Sequence, residues 1–127
     1  MKIKRVEQGW AGHFCGAPKC SFRRNTMLVA DNYIRIIVST VGNYRTDNKP
    51  AETIGLNRYY ETMVWRAYKD SGYWEINQAE GDISFDSKWA IDNVERGSDN
   101  EANDMHEAIV NEIELKILNG TLPKDTQ

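Results

Sequence analysis

The C-terminal third of the chain carries the pattern that most constrains its fold. Ser98 and Glu101 have the spacing of a capping box, which predicts the start of a helix, and Asn119-Gly120 predicts its end. Between these signals, apolar residues recur every three or four positions, as on one face of an amphipathic helix. They are Ala102, Met105, Ile109, Val110, Ile113, Ile117 and Leu118. A helix over about 99–119 must bury this face against the preceding residues.

Those preceding residues favour an antiparallel sheet. Tyr33–Val41 is rich in β-branched residues and apolar on both faces, which predicts a central strand. Thr26–Ala30 comes before it, and Asp31-Asn32 between the two predicts a hairpin turn. A chain of 127 residues has the length of one domain. We therefore predict a single α+β domain over residues 1–127, with an antiparallel β-sheet in the N-terminal two-thirds, over about 1–92, and the C-terminal amphipathic helix packed on it.

The segment Arg58–Tyr68 alternates like a further strand, whose successive side chains point to opposite faces. The more apolar column is expected to face the core and consists of Tyr59, Glu61, Met63, Trp65 and Ala67. The other column, expected to project away from the core, consists of Arg58, Tyr60, Thr62, Val64, Arg66 and Tyr68. This arrangement would place two arginines and two tyrosines on one face.

Charge divides the chain into two parts. Residues 1–70 carry 12 Lys and Arg against 6 Asp and Glu, residues 71–127 carry 4 against 13, and the net charge is −3. The resulting pI of about 5.4 argues against an open DNA or RNA surface. We expect part of the division to be internal, with the acidic helix balancing the basic sheet. The longest apolar run, Ile36–Val38, is too short to cross a membrane, and no signal peptide follows Met1, so a cytoplasmic location in the host cell is expected.

Residues capable of metal binding or nucleophilic catalysis are few. His13, Cys15, Cys20 and His106 are zinc-ligand types, but their spacing matches no known zinc motif, and a structural loop with free thiols is favoured. Cys15 and His106 lack an orienting third group for nucleophilic catalysis. His106 lies among apolar helix positions, so we expect it to be partly buried and hydrogen-bonded. We predict no metal, no cofactor and no catalytic residues.

The arginines give a better indication of function. Phe22-Arg-Arg-Asn25 places two guanidinium groups beside an aromatic ring, and arginine both binds phosphate in a bidentate manner and stacks on bases. Asparagines in the first helical turn add backbone N–H groups that attract anions. These features predict a binding site for a small anionic ligand, made of Arg23, Arg24, Arg58, Tyr60, Trp89, Asn100 and Asn103. The alternative is that the arginines pair with the acidic second half and hold the sheet to the helix.

Several strings resemble small proteins encoded by phages. They are Gly12-His-Phe14, Phe22-Arg-Arg-Asn-Thr26, Val38-Ser-Thr-Val-Gly42, Ile54-Gly55, Arg58-Tyr-Tyr-Glu-Thr-Met63 and Asn100 to Glu107 with the pattern Asn-x-x-Asn-x-Met-His-Glu. The resemblance covers nearly the whole chain and is to the first family of Thoeris anti-defence proteins, which are signal sponges. It implies an antiparallel sheet followed by helix, assembled as dimers or higher oligomers with the ligand between protomers.

The resemblance also implies the function. The family sequesters cyclic ADP-ribose isomers made by bacterial TIR-domain enzymes without cleaving them, and some relatives hold cyclic oligonucleotides. We therefore expect a counter-defence protein that binds a cyclic nucleotide signal, is not an enzyme, and has no nucleic-acid polymer or membrane as a partner. Two alternatives stay open. One is an acidic inhibitor that imitates DNA against a host defence nuclease through an outer helix face with Glu107 and Glu114; the other is a hydrolase of the same signal.

Overall fold

The fold is an antiparallel sheet with one helix across it. The computed structural model describes residues 2–8, 17–30, 34–47, 49–54, 57–70, 73–76, 89–94 and 97–122. The elements are strands β1 (Ile3–Glu7), β2 (Cys20–Ala30), β3 (Arg35–Tyr44), β4 (Tyr60–Asp70), β5 (Tyr73–Ile76) and β6 (Ala90–Ile91), a short 3-10 turn (Ala17–Lys19) before β2, and helix α1 (Ser98–Asn119). The strands pair in the order β1-β2-β3-β4-β5, with β6 added to β4. The α+β prediction is confirmed.

Strand β3 lies in the middle of the sheet, as its apolar sequence predicts. It pairs antiparallel with β2 from Cys20 to Val29 and with β4, and seven consecutive residues from Ile36 to Gly42 are buried. Such burial on both faces requires the run of β-branched residues found there. The predicted turn Asp31-Asn32 lies outside the described residues. Among the residues that the structure describes, no helix is long and apolar enough to cross a membrane.

Helix α1 packs on one face of the sheet and forms the main core there. Ile109, Val110, Ile113 and Ile117 of α1 are at most 3 % exposed, as the helical spacing predicts, whereas Leu118, predicted for the same face, is 48 % exposed. Their partners in the cluster are Leu28, Ala30, Ile36, Val38, Val64 and Trp89. Each buried aliphatic side chain of this size contributes roughly 1.5–3 kcal/mol to stability. The helix and the sheet therefore share this core cluster, and a smaller one is formed by Cys20, Val41 and Ile54.

The predicted orientation of β4 is wrong. Tyr60, Thr62 and Val64, expected to project away from the core, are at most 1 % exposed. The register explains this, because Thr62 pairs with Thr40 and Val64 with Val38, residues of β3 that face the helix side. The more apolar column lies on the opposite face and includes the mostly buried Trp65. The alternation correctly separated the two faces of β4. The column with more apolar residues, however, is not the one that packs against α1.

The start of α1 also differs from its prediction. The residue at the N-cap is Gly97, with a φ of 94°, and no side chain caps the helix, so the capping box from Ser98 to Glu101 does not form. The Ser98 hydroxyl donates instead to Asn93 Oδ1 at 2.7 Å. The C-terminal signal is confirmed: Gly120 has a φ of 67°, and its N–H donates to the carbonyl of Ile117.

Gly42 in β3 provides a test of the β3–β4 packing. A Cβ atom at this position would lie 2.3 Å from the Tyr60 ring and 2.6 Å from the Tyr59 carbonyl oxygen. We expect Gly42→Ala to lower the free energy of unfolding by about 1–3 kcal/mol, the usual cost of overpacking. Urea unfolding measures the change, with Ser21→Ala on the exposed part of β2 as the control, expected within about 0.5 kcal/mol of the parent. An unchanged midpoint for Gly42→Ala would contradict this packing.

Candidate functional site

A chain of hydrogen bonds crosses the interface between α1 and the sheet. Its centre is His106 of α1, whose ring is completely buried. Nε2 lies 2.7 Å from the Thr26 hydroxyl of β2, and Nδ1 lies 2.7 Å from the Thr40 hydroxyl of β3. Thr40 contacts the hydroxyl of Thr62 at 2.6 Å, and Thr26 donates to the Glu7 carboxylate at 2.8 Å. We call these five residues the histidine chain; they join α1 to strands β1 to β4. The expectation of a buried, hydrogen-bonded histidine is confirmed.

The Glu7 carboxylate, at one end of the histidine chain, determines which group donates and which accepts in each of its hydrogen bonds. The Arg24 guanidinium and the Thr26 hydroxyl outweigh the effect of burial and hold the pKa of Glu7 below its ordinary value, so this carboxylate is ionised and only accepts. Thr26 must then donate its proton to Glu7 and accept from Nε2–H. The other nitrogen, Nδ1, accepts from Thr40, which accepts from Thr62. The neutral Nε2–H tautomer of His106 satisfies every member.

Burial keeps the ring neutral. Loss of water, with a smaller effect from the positive charge of Arg24, lowers the pKa of His106 to about 4. The ring is therefore uncharged at neutral pH, and both of its nitrogens are occupied by hydroxyl groups.

A network of ion pairs lies above the histidine chain at the edge of the helix. Arg24 donates to both oxygens of Glu7 at 3.1 and 2.9 Å, to Glu107 at 2.6 Å and to Asn103 at 3.0 Å. Its hydrogen bond to Glu107 holds the pKa of that carboxyl below the ordinary value. Arg24 therefore has two carboxylate partners and one amide partner in its own chain.

Arg5 of β1 extends this network along the helix. It lies 3.2 Å from Glu107 and 3.2 Å from Glu114, and it also donates to Asn111. The expected balance between a basic sheet and an acidic helix is thus confirmed for these groups. Glu107 and Glu114 point towards arginines of the sheet, so their placement on an outer helix face was wrong.

Tyr60 secures the first turn of α1. Its ring is 1 % exposed and meets Phe22 edge-on, with centroids 6.1 Å apart. Its hydroxyl donates to Asp99 Oδ1 at 2.5 Å, and Asn43 donates to the same oxygen at 3.3 Å. Burial, and then the hydrogen bond to Asp99, raises the pKa of Tyr60. The Tyr60 side chain therefore connects the first turn of α1 to the sheet.

The predicted ligand residues are divided among several places. Arg24 and Asn103 contact each other, and Tyr60 lies under the same end of α1, where Asn100 is exposed. Arg23 neighbours Arg24 in β2 and so points to the opposite face of the sheet. The other two residues stand apart: Arg58 is half-buried, with its backbone bridged to Ile54, and Trp89 is buried beside the middle of α1.

Trp89, the residue directly before β6, borders a cavity of about 340 Å³ beside α1. Met105, Ala108, Ile109 and Glu112 of α1 form the rest of its described lining. The indole is 2 % exposed, and its Nε1–H has no hydrogen-bond acceptor among the described residues. A buried donor without a partner lowers the stability of the fold by roughly 1–3 kcal/mol. A ligand acceptor that reached this N–H would remove that cost.

This cavity combines an aromatic ring, apolar walls, one N–H donor and one carboxylate. That set suits a planar heteroaromatic group with both a hydrogen-bond acceptor and a donor at its edge. Sequence reasoning selected Trp89 but assigned Met105 and Ile109 only to the core and left Glu112 out. The signal available for Glu112 was its position on the same helix stripe as Met105, seven residues, or two turns, further on.

Of the residues considered for metal or nucleophile chemistry, the structure describes Cys20 and His106. In the described ranges, no group of three or more His, Cys, Asp or Glu side chains is placed to hold a metal ion. Cys20 is a buried free thiol, and burial raises its pKa to about 11, which suppresses the reactive thiolate. His13 and Cys15 of the considered zinc set lie outside the described residues.

Comparison of the chain with protein-family models, with curated proteins and with solved structures found no match. The resemblance to the sponge family therefore stays a prediction.

The Tyr60–Asp99 contact provides a prediction about the helix–sheet joint. A hydrogen bond to a charged acceptor contributes roughly 1.5–3 kcal/mol. We expect Tyr60→Phe and Asp99→Ala each to lower the free energy of unfolding, and the double variant to lose less than their sum by at least about 1 kcal/mol. Chemical denaturation of the four proteins measures this coupling, and the helix-dipole effect of Asp99 cancels in the cycle. Strictly additive losses would contradict the contact.

Proposed function

We propose that this protein binds and sequesters a cyclic nucleotide immune signal, of the cyclic ADP-ribose or cyclic oligonucleotide type, without cleaving it, as a phage counter-defence protein. The observation that carries the proposal is the cavity beside Trp89, with its unpartnered indole N–H. The resemblance to signal sponges supports it independently, because both lead to a ligand that contains a base.

Cavity size and lining suggest which part of the signal enters. Small-molecule sites have volumes of roughly 300–1,000 Å³, so about 340 Å³ suits a base better than a whole cyclic dinucleotide. In the proposed complex the base meets the edge of Trp89 in the plane of the indole and accepts from Nε1–H. Glu112 accepts from an amino group of the base. The ribose and phosphate groups then lie at the mouth of the cavity.

The ion pairs restrict where the phosphates bind. A phosphate at Arg24 would have to displace Glu7 or Glu107, because both carboxylates already occupy its guanidinium. Arg23 points to the face of the sheet away from α1, so within one protomer it does not contact a phosphate at the mouth of the cavity. The same ion pairs favour the sponge over a DNA mimic, since Glu107 and Glu114 are neutralised by arginines of their own chain.

Sequestration is favoured over hydrolysis by the state of the candidate acid–base groups. His106 is buried with both ring nitrogens hydrogen-bonded, and the Cys20 thiol is buried and protonated. Binding that competes with an immune receptor instead requires affinity, and nanomolar affinity corresponds to about −12 kcal/mol. In line with the resemblance, we propose that the protein acts as a homo-oligomer.

Calorimetry with cyclic ADP-ribose isomers and with cyclic di- and trinucleotides tests this proposal. We expect nanomolar binding of one of them to the parent protein. Trp89→Phe replaces the indole with a smaller aromatic ring that has no N–H, and should weaken binding about tenfold, since one hydrogen bond contributes about 1.4 kcal/mol. Trp65→Phe is the matched control, because the N–H of Trp65, on the other face of the sheet, is also buried and also has no hydrogen-bond partner among the described residues.

Two outcomes would contradict the proposal. If none of these nucleotides binds, the protein is not a sponge of this class. If Trp89→Phe binds as tightly as Trp65→Phe while thermal unfolding shows both to be folded, the base does not occupy this cavity. Mass analysis of the ligand released by denaturation separates sequestration from hydrolysis, because an intact mass is expected and the addition of water would indicate an enzyme.

A further inference from the structure

The histidine chain has a property that the proposed binding site does not use. It is the one described contact that links α1 to four strands, through Glu7, Thr26, Thr40 and Thr62. We propose that it acts as a proton-operated latch: α1 is docked on the sheet while the His106 ring is neutral, and protonation of the ring releases the helix.

The geometry shows why protonation of His106 disturbs the hydrogen bonds of the histidine chain. In the neutral state Nδ1 accepts from Thr40, and Thr40 accepts from Thr62. A protonated ring would point a second N–H at Thr40, which would have to turn its own proton towards Thr62. Thr62 is fully buried, and its described hydrogen bonds go to Thr40 alone. The reversed chain therefore ends on a buried hydroxyl donor without an acceptor.

The charges around the ring come from three elements. Glu7 and Arg5 lie on β1, Arg24 lies on β2, and Glu107 follows His106 on α1. Strand β3 presents the neutral Thr40 hydroxyl to the ring, and β4 presents the neutral Thr62 hydroxyl to Thr40. The two carboxylates favour a charged ring and the two arginines oppose it, and since these groups pair with one another, burial decides the balance.

The sign of the pH dependence follows from this balance. The pKa of His106 lies near 4 in the folded protein, against an ordinary value of 6.5. Between these values the undocked ring binds more protons than the docked ring, so acid favours release, and the effect is complete below about pH 4. The two values correspond to a roughly 300-fold change in the release equilibrium. Glu7 and Glu107, whose pKa values are lowered, add to the loss once the pH falls below their ordinary value of 4.5.

Nitrogen-15 NMR of the parent protein tests the neutral state of the latch. At pH 7 we expect the His106 signals of the Nε2–H tautomer, unchanged down to about pH 5. The His13→Gln variant leaves a single histidine and so assigns the signals. An Nδ1–H tautomer, or titration near pH 6.5 in the folded protein, would overturn the proposal.

Release of the helix is tested by hydrogen exchange and by a variant. From pH 7 to pH 4, after correction for the intrinsic exchange rates, protection of α1 amides should fall about 100-fold and more than that of β3 amides. His106→Gln keeps one donor and one acceptor but does not titrate, so its α1 protection should change less than about threefold. Equal losses in α1 and β3 of the parent, or an unchanged loss in His106→Gln, would overturn the latch.

Discussion

The placement of helix α1 depends on a buried imidazole whose two nitrogens are both satisfied by the sheet. An apolar helix face can slide on an apolar sheet at small cost, because dispersion and burial are not directional. His106 removes this freedom, since Thr26 and Thr40 must lie at hydrogen-bond distance on its two sides. A displacement of the helix would leave buried donors and acceptors unpaired. The apolar cluster thus supplies most of the burial, and the histidine chain supplies the register.

The ion pairs at the helix edge reinforce the same placement. Arg24 contacts the outer end of the histidine chain through Glu7 and the next residue of the helix through Glu107, so it connects β1, β2 and α1. This arrangement explains the division of charge along the sequence, because basic strands and an acidic helix meet in space. It also changes the role expected of Arg24, which the sequence predicted as a ligand contact. A guanidinium between two carboxylates is a structural group first, and a ligand phosphate must compete for it.

The proposed binding cavity follows from the position of the helix. Met105 and Ile109 lie one on each side of His106 in the sequence, so the side of α1 that meets the sheet and the side that borders the cavity are rigidly related. Trp89 closes the other wall and also belongs to the apolar core. Any movement of α1 would therefore change the cavity, and this connects the proton-operated latch with ligand binding in the same element.

Local patterns in the sequence determined the element types, the buried stripe of α1, the stop at Gly120 and the central place of β3, because these depend on periodicity and backbone preference. Only the tertiary structure decided how the elements meet. The β3–β4 register turned Tyr60 towards the helix. The helix begins after Gly97, whose backbone has a positive φ, and the predicted capping box does not form. Neither the partners of Arg24 nor the cavity beside Trp89 could be inferred, because both depend on contacts between residues far apart in the chain, whose distances periodicity does not encode.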